Sequence, residues 1–116
     1  MLFMMIVKAS RKAELAKTTN PVLREQMDIY NDQLESAGVR VMAKGLYPDS
    51  EGVRISFPIE GKAPVITYGP FPNTHEQIAG FFIIDVPNKE KAIEWLLKAP
   101  DPQGHGEGQI ELRQIR

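Results

Sequence analysis

The sequence predicts an α+β fold, with two helices on one face of an antiparallel-rich sheet. Three observations lead to it. Several short apolar stretches have strand length or period-two alternation. Two stretches carry apolar residues at helical spacing. The helical stretches fall one in each half of the chain, so the order reads strand-helix-strand, a hairpin, then strand-helix-strand. At 116 residues the chain is one domain, and 42% hydrophobic residues are enough for a core.

Met1 to Val7 is apolar but far short of a membrane span, and no basic segment precedes it. Leu2 to Lys8 therefore reads as a buried first strand rather than a signal peptide or anchor, and a cytoplasmic location is expected. Asn20 is a good N-cap and Pro21 suits the first helical position. From there Leu23, Met27, Tyr30, Leu34 and Ala37 recur at three and four, one stripe of a helix that Gly38 should end. Arg24, Glu25, Asp28, Asp32 and Glu35 should face water.

Val39 to Leu46 follows as a strand, Val39, Val41 and Ala43 alternating against Arg40, Met42 and Lys44. Pro48-Asp49-Ser50-Glu51-Gly52 is a turn. Val53, Ile55 and Phe57 alternate with Arg54 and Ser56. Glu60-Gly61-Lys62 turns the chain, and Val65 to Tyr68 returns. Gly80 to Val86 is nearly all apolar, which places it at the sheet centre with both faces covered. Asn88 caps a second helix whose stripe is Ala92, Ile93, Leu96 and Leu97, ended by Pro100 and Pro102. Gly104 to Gly108 is a connection, and Gln109 to Ile115 is the last strand. This order is ferredoxin-like.

Two helices cover only one sheet face, and Phe57, Phe81, Ile83 and their neighbours cannot all lie on it. An uncovered apolar face calls for a partner. The simplest is a second copy, sheet against sheet about a two-fold axis.

The segment Thr67-Tyr68-Gly69-Pro70-Phe71, followed by Glu76, resembles the Thr-Asp-Gly-Pro-Phe-x-x-x-x-Glu motif of the YCII-related family, in its DGPF-domain branch. The likeness extends over most of the chain. It includes Tyr30 to Val39, Lys44-Gly45-Leu46-Tyr47-Pro48, Ile78 to Ile84, Ala92-Ile93-Glu94-Trp95 and Gly108 to Arg113. The resemblance implies a dimeric α+β barrel with pockets lined by the sheets and the Gly-Pro-Phe loop. Two departures bear on function. Tyr68 stands where the motif has Asp, and Lys44 stands where the branch has Glu before Gly-Leu. Enzymatic relatives use a His-Asp pair with the His near the start of the first helix. Asn20-Pro21-Val22-Leu23 holds none, so that dyad is not carried over.

Loops carry functional groups more often than strands do, and the Gly-Pro-Phe loop concentrates the candidates. Lys44, Tyr68, Gly69, Pro70, Phe71, Thr74, His75 and Glu76 are the expected ligand-binding set. His75 beside Glu76 is the candidate general base, with Tyr68 or Lys44 as electrophilic partner. Against this, Thr74 to Gln77 also reads as a capped turn facing water, and Tyr68 also fills the volume of the missing Asp. Lys44 suits a carboxylate or phosphate and equally an ion pair with Glu51 or Glu76. His105 lies among glycines, and its spacing to Glu107 carries no metal signature.

The net charge of −1 provides no overall field for nucleic acid or an anionic membrane. The absence of cysteine excludes disulfides, thiolate zinc sites and a Cys nucleophile. No phosphate loop, nucleophile elbow or dinucleotide fingerprint occurs, so no cofactor is implied. The functional expectation is a homodimer that binds a small molecule in a pocket beside the Gly69-Pro70-Phe71 loop, with a small anion as one candidate ligand. The alternatives are a cofactor-independent lyase or isomerase using His75, and a protein-interaction or regulatory module.

Overall fold

Alternate residues of the first strand point to opposite sides, and Phe3, Met5 and Val7 all go to the same side and are buried. In the computed structural model, which describes residues 1–9, 21–71, 77–104 and 106–116, this strand is β1, Leu2–Ala9. It is followed by α1 (Pro21–Ser36), β2 (Arg40–Gly45), a 3-10 turn (Asp49–Glu51), β3 (Val53–Ser56) and β4 (Val65–Tyr68). The chain then forms β5 (Gln77–Asp85), α2 (Lys89–Leu97) and β6 (Gln109–Gln114).

Four strands form one sheet in the order β2-β5-β1-β6, and every adjacent pair is antiparallel. With the hairpin strands left out, that is the order and sense of a ferredoxin-like α+β fold. β5 is central, as its composition requires. β3 and β4 form a separate two-stranded sheet.

The core lies between the sheet and the helices. Phe3, Met5 and Val7 meet Phe82 and Ile84 of β5, and Tyr30 and Leu34 of α1 and Ala92 of α2 close the layer. Tyr30 ties the layers together. Its ring stands edge-on to Phe82, 5.4 Å between centroids at 81°, a favourable aromatic geometry. Its hydroxyl donates to the Trp95 carbonyl at 2.7 Å, joining the two helices. Burial pushes the phenol pKa well above its ordinary value.

The helix ends follow from their residues. Gly38 has φ +74°, its N–H donates to the Glu35 carbonyl, and the Val39 N–H reaches back to Leu34. This is the paired closure that a glycine in the left-handed region allows. At α2, the Asn88 side chain accepts from the Lys91 N–H at 2.9 Å. The expected cap Asn20 lies outside the described residues.

Four expectations about burial are corrected. On α2, Leu97 is 80% exposed and Ile93 is also exposed, so the stripe narrows to Ala92 and Leu96. Ala37 is exposed, because α1 ends one residue before it. Val41 does not point inward. The register slips between Arg40, opposite Ile84, and Met42, opposite Ile83. A bulge leaves one residue unpaired, and Val41 is 55% exposed there. The slip turns Arg40 to the helix side, where it reaches Asn31 at 3.1 Å and Glu35 at 3.3 Å. The expectation that β5 is covered on both faces also fails. Among the described residues, Phe81 and Ile83 stay half-buried on the face that the helices leave open.

Their register neighbours on that face are Met4 and Ile6 of β1 and Met42 and Lys44 of β2. Glu111 and Arg113 flank it on β6. Hydrogen bonds from Lys8 and then Arg113 hold the Glu111 carboxyl below its usual range.

Replacing Tyr30 by Phe should lower stability by about 1 kcal/mol through the lost hydrogen bond. Tyr30→Ala should cost about 3–5 kcal/mol, as truncation of a buried aromatic does. Urea unfolding followed by circular dichroism measures both, with the slope unchanged.

Candidate functional site

The chain leaves the sheet at Gly45, and the Leu46 N–H makes one last sheet bond to the Ala79 carbonyl at 2.8 Å. Close packing allows this exit. A Cβ on Gly80 would stand 2.6 Å from the Lys44 carbonyl oxygen, so only glycine lets β2 and β5 approach here. Leu46 to Pro48 then cross to the 3-10 turn. The turn presents its backbone to the Gly-Pro-Phe loop. The Gly69 N–H donates to the Gly52 carbonyl at 2.9 Å, and a side chain on Gly69 would run into the Asp49 carbonyl. The Gly69-Pro70 peptide is cis.

Asp49 fastens this arrangement. Its Oδ2 accepts from the Phe71 N–H at 3.0 Å and from the Gln77 side-chain amide at 3.1 Å. One carboxylate thus links the turn after β2, the loop after β4 and the start of β5. The Arg54 guanidinium lies 4.0 Å from the centre of the Phe71 ring and holds the loop from the hairpin side. The sequence marks Asp49 only as a turn residue. Its partners are 22 and 28 positions away, and no local pattern signals them.

Between α1, β2, β5 and this loop lies a cavity of about 710 Å³. Val7, Ala43 and Phe82 form its sheet wall, with Met27 on the helix side. Tyr47, Pro48, Asp49 and Pro70 bound it at the loop, and Arg24, Asp28 and Asn31 bound it along α1. Its size is that of a small-molecule site, and most of its wall is apolar. A second cavity of about 420 Å³ lies across the Leu46–Asp49 segment, beside Arg54, Phe71 and Gln77.

The expected site residues separate. Pro70 borders the larger cavity and Phe71 the smaller. Gly69 supplies the close backbone approach between them. Lys44 borders the larger cavity, but it pairs with Phe81, and alternation from Ala43 sends its side chain to the open sheet face. Tyr68 pairs with Val53 in the hairpin, is 73% exposed and borders neither cavity. Thr74, His75 and Glu76 lie outside the described residues, as does His105. Arg24 and Asp28, expected to face bulk water, stand at the cavity edge instead. Neither has a hydrogen-bonded or ion-paired partner among the described residues. Among the described residues, no group of three metal-ligating side chains occurs, and no helix is long and apolar enough to cross a membrane.

Removing the Asp49 anchor by Asp49→Ala should destabilise the protein by about 1–3 kcal/mol, since the Phe71 N–H and the Gln77 amide lose a charged acceptor. Chemical denaturation measures the loss, and amide exchange at Phe71 should quicken selectively.

No curated protein matches the chain. The family model of the YCII-related domain matches residues 1–116, the whole length. With that match over its whole length, the chain belongs to the YCII-related domain family.

Proposed function

We propose that this protein is a small-molecule-binding homodimer, with its ligand in the cavity between α1 and the Gly69-Pro70-Phe71 loop. The cavity itself carries the reading. It holds about 710 Å³, its wall is mainly apolar, and hydrogen bonds to Asp49 tie one side of its edge to the loop and to β5. Asp49 fastens that side, so the site is pre-formed, and a pre-formed site loses less free energy to ordering when ligand binds. The ligand bears a negative group. Arg24 is a cation at the cavity edge with no hydrogen-bonded or ion-paired partner among the described residues. His75 and Glu76, which follow Phe71 in the sequence, are proposed as further ligand-binding residues.

The homodimer reading rests on the open sheet face. Met4, Ile6, Phe81 and Ile83 form its centre, and Lys44, Glu111 and Arg113 flank it. An isologous pairing of two such faces buries the apolar centre in both copies.

A second reading has its own observation. In the hairpin, Val53 pairs with Tyr68 and Ile55 with Ile66, so the four share one face, and each is more than half exposed. Phe57 beyond them is 79% exposed. A two-stranded ribbon with an apolar face suits a protein-interaction module.

Ligand-dependent thermal stability tests the main reading. A panel of small carboxylates, phosphates and aromatic acids should contain a compound that stabilises the protein, by about 2.7 kcal/mol at a hundredfold excess over Kd. His75→Ala and Arg24→Ala should each reduce that gain, whereas Lys44→Ala should leave it, because the Lys44 side chain goes to the open sheet face. A compound whose effect survives both the His75 and the Arg24 substitutions binds elsewhere and refutes the site. For the dimer, analytical ultracentrifugation should show two copies at micromolar concentration. Ile83→Glu should yield a folded monomer, and a wild-type monomer under those conditions refutes the pairing.

A further inference from the structure

We propose that the cavity takes a zwitterion with an apolar body, of the class of apolar α-amino acids. The inference rests on the binding role assigned to the cavity above and specifies its ligand. Four α1 residues border the cavity: Arg24, Met27, Asp28 and Asn31. Spacings of three, four and seven put them on one helix face. Met27 is half-buried and packs against the core, so it continues the apolar wall. The Asn31 side-chain oxygen is engaged by Arg40 at 3.1 Å. At the opposite edge, Asp49 is engaged by Phe71 and Gln77. The protein's own hydrogen bonds therefore occupy Asn31 and Asp49. Arg24 and Asp28 have no such partner among the described residues.

A cation and an anion thus stand one helical turn apart at the edge of an apolar chamber. Their order is also the less favourable one for pairing with each other, because the acid follows the base. A simple carboxylate would satisfy Arg24 and be repelled by Asp28. A simple amine would do the reverse. A phosphate ester would set its larger negative charge against Asp28. A molecule with a carboxylate and an ammonium on one carbon satisfies both, the carboxylate taking two guanidinium hydrogen bonds and the ammonium facing Asp28. Its side chain then enters the chamber formed by Val7, Met27, Ala43 and Phe82. Recognition at both charges and in the chamber discriminates an apolar amino acid from its deaminated and decarboxylated relatives.

Isothermal titration of the full chain with L-leucine and L-phenylalanine tests the proposal. The comparison probes are 4-methylpentanoate, isopentylamine and the uncharged isopentyl alcohol. The amino acids should bind, and each comparison probe should bind at least tenfold more weakly. Arg24→Gln and Asp28→Asn should each weaken amino-acid binding at least tenfold. Exchanging the two charges, Arg24→Asp with Asp28→Arg, should recover part of that loss, because the zwitterion can turn around. Circular dichroism confirms that each variant is folded.

If 4-methylpentanoate binds as well as leucine, the zwitterion class is overturned and the anion site stands. If the alcohol binds equally well and Ala43→Leu blocks it, the chamber is a site for neutral apolar molecules, and the zwitterion is again overturned. If no probe binds at millimolar concentration, and the thermal panel with Ala43→Leu also places no ligand in the cavity, both the ligand class and the cavity's binding role are overturned.

Discussion

Phe82 and Ile84 point toward the helices, Phe81 and Ile83 point away from them, and no register lets β5 bury all four on one side. The rest of the molecule follows from this alternation. The inward pair makes the core with Tyr30, Leu34 and β1. The outward pair makes the apolar centre of the open face, and with it the case for a second copy. The same alternation decides what each β2 residue does. Ala43 joins the cavity wall beside Phe82, and Lys44 goes to the open face beside Phe81. One bulge at Val41 sets this assignment, because a slip of one residue exchanges the two faces.

The cavity is a consequence of helix placement and of one distant anchor. α1 bears on the sheet through Tyr30 and Leu34 in its second half. Toward its start, Arg24, Met27 and Asp28 border a gap over Val7 and Ala43. The turn after β2 and the Gly-Pro-Phe loop bound the remaining side. Asp49 keeps them there by accepting from the backbone of one and the side chain of β5, and Gly69 leaves the room that a side chain would take. The anchor is charge-assisted on both bonds. The loop is thereby an ordered boundary from Gly69 to Phe71.

Much of the fold was legible in the residues. The apolar periods of β1, α1 and β5, the Asn88 cap and the Gly38 stop all depend on neighbours within a turn or two, and local chemistry reports on those. Less of the site was legible. Lys44 and Tyr68 drew attention as departures from a motif, yet the described cavity is bordered on its helix side by Arg24 and Asp28, which had read as a solvated face. A helical wheel shows which residues are polar. It does not show that one part of the polar flank overhangs a gap, because that depends on where the helix sits above a sheet formed from segments far away in the chain.

The sequence by itself determined the α+β class, the element order and the apolar stripe of α1 from Leu23 to Leu34, since periodicity and capping are short-range and survive without the partner surfaces. It also carried the likeness to the YCII-related family that the full-length match confirms. Only the tertiary structure decided the strand register, the outward turn of Val41 and Lys44, the role of Asp49 and the position of Arg24 and Asp28 at a cavity. Each of these depends on contacts between residues far apart in the chain, and such contacts exist only once sheet order and helix placement bring the segments together.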